Sequence, residues 1–344
     1  MNILGIDTSC DDTSAAVVAD SRKVLSSVVH SQIKLHHPYG GVVPELASRA
    51  HLKNITPVVD QALATAGLGM RDIDGIAVTI GPGLIGALLV GLYYSKALAY
   101  VHKVPLVAVN HHEGHILSIF LEEQAPEFPF VALTVSGGHT SLYHVRGFGD
   151  YTHMGQTLDD AAGEAFDKVA KILGLGYPGG VVIEKLAKSG RRDAVKFPRA
   201  FLSPGSLDFS FSGLKTSVSL FVKKWQQSDE EKDAFTMADI AASFQESVVD
   251  VLTQKIMRAG ALTGVPSVVI AGGVACNSRL RESVASMASD RGLSLYTPRP
   301  AYCTDNGAMI ALAGTHRLVH GDRADLSVDV RSRFPIEDLE PLAH

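Results

Sequence analysis

The chain has 344 residues, 46% of them apolar and 19% charged, with a formal net charge of −5. That length suits two ordinary domains of about 100–200 residues each, and the apolar share excludes a disordered chain. The acidic balance excludes wholesale coating of nucleic acid but leaves room for a local basic patch. Cys10, Cys276 and Cys303 show no CxxC or zinc-finger spacing, which points to reduced thiols in the cytoplasm.

Residues 2–8 form a short apolar run with no basic or long apolar leader, so they read as a first strand rather than a signal peptide. A polar turn carrying Asp11 leads to further runs at 14–19 and 23–30, a strand meander with an acidic loop. Helix-spaced apolar residues over 45–65 end at Gly67 and Gly69. A buried strand follows at 73–80, then Gly81-Pro82-Gly83 and an apolar helix over 84–101. Ser95 and Lys96 interrupt that helix, which makes it a core helix and not a span of about 20 apolar residues. The chain is expected to be soluble, with no membrane partner. Residues 106–110 give another strand.

The pattern then restarts. A strand at 130–135, a turn at 136–139 and a returning strand at 140–145 echo the start of the chain, suggesting an internal duplication. Helices are expected over 158–173, 234–261, 278–291 and 304–319, with a strand at 267–271 and irregular basic chain at 191–208. A polar tail is expected after the last helix.

His111 and His115 stand at i, i+4, where helical imidazoles point the same way and can share a metal; solvated rings at a helix start are the plainer alternative. A zinc-protease helix needs Glu directly after the first ligand, and Glu113 comes two residues after His111. Asp305 offers a carboxylate before a helix, either as a third ligand or as a helix cap. Val135-Ser136-Gly137-Gly138-His139 joins two strands, either as a phosphate-approaching turn or as an ordinary hairpin. Gly272-Gly273 after a strand, with Asn277 beyond it, could seat an adenosine. Asp160, Glu164 and Asp167 share a polar helix face, as solvated charges or as ribose ligands.

Eight stretches occur in order: 3–13 (ILGIDTSCDDT), 110–115 (NHHEGH), 135–140 (VSGGHT), 163–168 (GEAFDK), 177–180 (YPGG), 209–216 (FSFSGLKT), 272–277 (GGVACN) and 304–307 (TDNG). Together they resemble the tRNA N6-adenosine threonylcarbamoyltransferases, long misnamed O-sialoglycoprotein endopeptidases, over nearly the whole chain. The resemblance implies an α/β fold of two actin-like lobes, as in sugar kinases, with a central cleft. Lobe boundaries are expected at 1–109, completed by the helix at about 307–330, and at 110–306, the latter carrying the metal and nucleotide sites, with a tail at 331–344.

The resemblance further implies that His111, His115 and Asp305 hold one divalent metal, usually Fe(2+), with Zn(2+) or Mn(2+) as alternatives. Thr134, Val135, Ser136, Gly137, Gly138, Asp167, Gly180 and Asn277 would bind an adenylate. The family pattern is broken after Gly180, where Val181 and Glu184 replace the usual Pro and Asp, which puts the substrate role of Glu184 in doubt. Asp11 and Lys215 are candidate catalytic residues. Lys215, beside a Ser-Gly pair in an apolar loop, could meet a phosphate or merely snorkel over its neighbours. The implied reaction moves threonylcarbamoyl from L-threonylcarbamoyl-AMP to N6 of adenosine 37 in tRNAs reading codons that begin with A. The implied partners are that tRNA, a non-catalytic paralogue of the same fold and a small ATPase. Arg191, Arg192, Lys196, Arg199, Lys223 and Lys224 are the basic candidates for a tRNA surface. A metallopeptidase and a non-enzymatic nucleotide-binding scaffold are the rival readings.

Overall fold

The computed structural model describes residues 1–203, 205–339 and 342. Five strands of the first sheet are β1 (Asn2–Asp7), β2 (Asp12–Ala19), β3 (Lys23–Ser31), β4 (Gly75–Gly81) and β5 (Leu106–Asn110), in the order β3-β2-β1-β4-β5. β1 pairs antiparallel with β2 and parallel with β4, and β4 is parallel to β5. Ile3, Leu4 and Ile6 are wholly buried, as helices on both faces of a parallel strand require. The long helix Pro44–Ala66 supplies Ile55, Val58, Val59 and Leu63 to the core beneath that sheet. The last core helix, Gly307–Val319, lies close enough to β1 that a Cβ on Gly5 would sit 2.1 Å from the Gly307 carbonyl oxygen.

The second sheet holds β6 (Phe130–Val135), β7 (Thr140–Gly147), β8 (Asp150–Gln156), β9 (Ser267–Ala271) and β10 (Ser294–Tyr296), in the order β10-β9-β6-β7-β8. Numbered within its own half, this is the same 3-2-1-4-5 arrangement as the first sheet. The expected duplication is therefore present in the strand topology. The helix Met237–Thr263 buries Phe244, Val248, Leu252 and Ile256.

The described chain divides into two compact units. One comprises Met1–Phe128, Val145–Thr152 and Pro298–His344, and the other Pro129–His144 and His153–Thr297. This differs from the expected boundaries at 109 and 306, because the helix His111–Leu117 packs on Gly307–Val319 and so falls in the first unit. The expected polar tail is also corrected. Phe334 and Ile336 are buried, Arg331 N donates to the Ile80 carbonyl at 2.8 Å, and Leu342 meets Gly149. Apolar residues spaced along a charged segment disguised a strap bound to the first unit. Residues 340, 341, 343 and 344 of that tail lie outside the described residues.

Other differences are local. The helix expected from 158 begins at Ala162, because the Asp159 carboxylate turns aside to accept from Phe211 N and Ser210 Oγ at 2.8 and 2.5 Å. Lys215 lies in the first turn of a helix, Ser212–Gln227, and not on a loop. Strands β8 and β10 have too few apolar residues to stand out in the sequence.

Candidate functional site

In the first unit, β5 runs directly into the helix His111–Leu117. Asn110 caps that helix, its Oδ1 accepting from His112 N and Glu113 N at 2.8 and 3.4 Å. Its Nδ2 donates to the Phe334 carbonyl at 2.8 Å, so the C-terminal strap fixes the helix start. The same logic frees Asp305. Asn306, not Asp305, caps the last helix by accepting from Met309 N at 2.9 Å.

Asp305 Oδ1 then lies 3.1 Å from His115 Nε2 and 3.5 Å from His111 Nε2. Ligand atoms held about 2.1 Å from one ion, at tetrahedral to octahedral angles, sit about 3.0–3.4 Å apart. One ligand atom from each of the three residues lies within 4.8 Å of the others, a set that could hold a metal ion. Asp7, wholly buried on β1, stands behind at 3.5 Å from His111 Nδ1. Electrostatics ask for positive charge here. Burial opposes charge on His111, yet Asp305 and Asp7 outweigh it and push the imidazole up to about 10. Burial would likewise raise the Asp305 carboxyl, and His111 and His115 hold it well below the usual range. A divalent ion bound to neutral imidazoles would supply the charge that a proton otherwise supplies.

Asp11 and Asp12 border the same place. Burial first, and then the Asp305 charge, raise both carboxyls, Asp12 to about 7. Buried His51 holds this loop by bonding the Cys10 carbonyl at 3.0 Å and Thr13 Oγ1 at 2.8 Å. The sequence offered no sign of that link between the first turn and the helix Pro44–Ala66.

In the second unit, the remaining candidates form a chain of contacts. Thr134 and Val135 end β6, and the 136–139 turn closes with Ser136 N donating to the His139 carbonyl at 2.8 Å. A Cβ on Gly137, Gly138 or Gly180 would meet nothing within 4 Å, so their backbone faces open space. Gly163 and Gly272 are closed in. A Cβ would lie 2.5 Å from the Ser136 carbonyl oxygen at Gly163, and 2.4 Å from the Val135 carbonyl oxygen at Gly272, whose φ of +92° also demands glycine. Asp167 Oδ1 accepts from Gly179 N at 2.6 Å, joining the helix Ala162–Ile172 to the Gly179-Gly180 turn. Glu184 accepts from both Ser278 N and Ser278 Oγ, at 3.1 and 2.7 Å. Asn277 caps the helix Ser278–Asp290 through Leu280 N and donates to Gln245 Oε1 at 2.8 Å. Lys215 Nζ pairs with Asp160 at 2.9 Å, and Lys168 shares that carboxylate at 2.8 Å. Gln245 was missed in the sequence, since its value lies in a partner distant along the chain.

A family model described as tRNA N6-adenosine threonylcarbamoyltransferase matches residues 23–312. A protein of that name from Syntrophus aciditrophicus (strain SB) is 55% identical, covering 98% of this chain and 98% of its own length. Another, from Geobacter sp. (strain M21), is also 55% identical with the same coverage of both chains. The chain belongs to the tRNA N6-adenosine threonylcarbamoyltransferase family. Among solved structures, the (R)-2-hydroxyglutaryl-CoA dehydratase component A of Acidaminococcus fermentans superposes with a TM-score of 0.55 at 16% identity, over 93% of this chain and 99% of its own. Full-length HypF superposes with a TM-score of 0.60 at 14% identity, over 93% of this chain and 46% of its own. These likenesses bear out the actin-like fold.

Membership makes the chain a transferase acting in tRNA modification, and Glu113 explains why the old peptidase reading of such histidine pairs fails. Its carboxylate is 1% exposed and is gripped by Arg317, with Nε to Oε2 at 2.6 Å and Nη2 to Oε1 at 2.9 Å, while Tyr151 donates to Oε1 at 3.0 Å. A carboxylate so engaged cannot serve as a general base. Among the described residues, no helix is long and apolar enough to cross a membrane.

Proposed function

We propose that the chain transfers threonylcarbamoyl from L-threonylcarbamoyl-AMP to N6 of adenosine 37 in tRNAs reading codons that begin with A, releasing AMP. The observation that carries this reading is the convergence of His111, His115 and Asp305 in a chain of this family. In the reaction, the N6 lone pair attacks the carbamoyl carbon, the bond from that carbon to the phosphate oxygen breaks, and the electron pair leaves with AMP. One amine proton must depart. Asp11, whose carboxyl is raised by burial, is the residue we assign to accept it. His111, His115 and Asp305 hold a divalent metal, Fe(2+) in this reading with Zn(2+) or Mn(2+) as alternatives. Such an ion supplies a Lewis acid for developing negative charge.

The 134–138 turn, Gly180, Asp167 and Asn277 take the adenylate, with open backbone at Gly137, Gly138 and Gly180 supporting close approach of a phosphate. Glu184 acts by holding the start of the Ser278–Asp290 helix and hence Asn277. Lys215 reaches a phosphate by leaving Asp160, which Lys168 continues to neutralise. An anticodon-loop base can be splayed out without breaking a pair, which suits an adenine amine as acceptor. The reaction takes place in the cytoplasm, with a non-catalytic paralogue and a small ATPase as partners. The test is transfer of labelled threonine to tRNA with an adenylate-forming enzyme and both partners. Label should appear in tRNA with wild type and vanish with His111→Ala. Label that persists unchanged in His111→Ala, His115→Ala and Asp305→Ala alike would overturn the metal-centred reading.

A further inference from the structure

The basic residues singled out along 191–224 are largely spent within the fold. Arg191 pairs with Asp239 at 3.1 Å, Arg192 with Glu282 at 3.8 Å, Arg199 with Asp250 at 2.8 Å, and Lys224 with Glu231. Positive charge without a carboxylate partner lies elsewhere in the same unit. A recess of about 590 Å³ is lined by Phe201, Ser203, Ser206, Lys255, Arg258 and Arg291, and among the described residues no acidic one lines it. Among the described residues, no carboxylate lies within ion-pair reach of Arg258 or Arg291. Lys255, 2% exposed, donates to the Ser206 carbonyl at 3.2 Å and to the Asp208 carbonyl, so it ties Ser206 and Asp208 to the helix Met237–Thr263. Leu202, on the wall of the recess, sits at φ +53°, a left-handed conformation that a leucine adopts only at a cost.

Among the described residues the guanidinium groups of Arg258 and Arg291 have no carboxylate partner, and with the hydroxyls of Ser203 and Ser206 they match the charge and donor needs of a phosphate. The exposed ring of Phe201 beside them offers a face for a base or ribose, which a free phosphate would not use. Arg258 lies 13 residues along the same helix from Gln245, the partner of Asn277, or about 20 Å at 1.5 Å per residue. The recess is thus separate from the adenylate-facing turns. We propose that this recess seats a backbone phosphate of the tRNA, away from the nucleotide being modified. The proposal rests on the tRNA reading above.

The test compares wild type, Arg258→Gln/Arg291→Gln and, as an equal loss of charge elsewhere, Lys23→Gln/Lys103→Gln, both exposed in the other unit. Filter binding of tRNA across salt, with partners present, gives each dissociation constant and its salt slope. The recess variant should bind about tenfold more weakly near 0.1 M salt, with a slope shallower by about 0.7–0.9, the value for one lost phosphate contact. Its melting temperature should be unchanged, since both arginines are exposed and unpaired. Wild-type affinity and slope in the recess variant overturn the proposal alone, as does an equal weakening in the lysine variant, which would mark a bulk charge effect. Equilibrium dialysis with inorganic phosphate separates the sources: loss of phosphate binding with unchanged tRNA affinity assigns the recess to a free anion and overturns the RNA assignment. If wild type binds no tRNA at all, the functional reading and this proposal fall together.

Discussion

Replacing Arg317 with Met would leave the Glu113 carboxylate buried with only the Tyr151 hydroxyl as a donor. Arg317 is itself 2% exposed, so neither group can turn to water for compensation. Breaking such a pair by removing one partner costs about 3–5 kcal/mol, because the survivor's charge stays in a poorly solvating place. For a unit of this size that is a fall of about 10 °C in melting temperature. The deficit should shrink on acidification, since an unpaired buried carboxyl titrates upward and its neutral form costs less to bury. Thermal unfolding at pH 5 and pH 7.5 measures both effects. The double variant Glu113→Gln/Arg317→Met should recover at least about 1–2 kcal/mol relative to the sum of the single changes. The argument fails if Arg317→Met melts within about 2 °C of wild type, or if the double variant shows no coupling. Glu113→Gln should lower the melting temperature while leaving transfer per folded molecule near wild type, the reverse of what a peptidase base would do.

Elemental analysis should find about one metal per chain in wild type and a sharp fall in His111→Ala, His115→Ala and Asp305→Ala; unchanged content in all three removes the metal site. In metal-free protein, Asp12 favours its protonated form in the fold, with its carboxyl at about 7 against about 3.9 unfolded. Its contribution is therefore lost as pH rises from about 4 through 7, and Asp12→Asn should flatten that part of the stability profile. Asp167→Ala and Asn277→Ala should each weaken a non-hydrolysable adenylate analogue by about 1–3 kcal/mol in calorimetry; wild-type binding in both would reduce them to structural residues. Lys215→Ala should cut transfer strongly while losing at most about 1 kcal/mol of stability, as its ion pair is partly exposed, and Lys215→Arg should recover part of the rate.

Ordered motifs and apolar periodicity were enough to place the strands at 106–110, 130–135 and 267–271, because buried strands must be continuous apolar runs between turn residues. The i, i+4 histidines and the family resemblance were also legible, since helical spacing and motif order are properties of the chain itself. Other features needed contacts between residues far apart in sequence. That Asp305 is not the cap of its helix was visible only once Asn306 was seen to take that role. Glu113 became structural only through Arg317, and the tail became a strap only through the buried positions of Phe334 and Ile336. Likewise Arg191, Arg199, Arg258 and Arg291 look alike in the sequence. Tertiary structure alone gives the first two carboxylate partners and leaves the last two facing an open recess, because the neutralisation of a charge depends on what folding brings beside it.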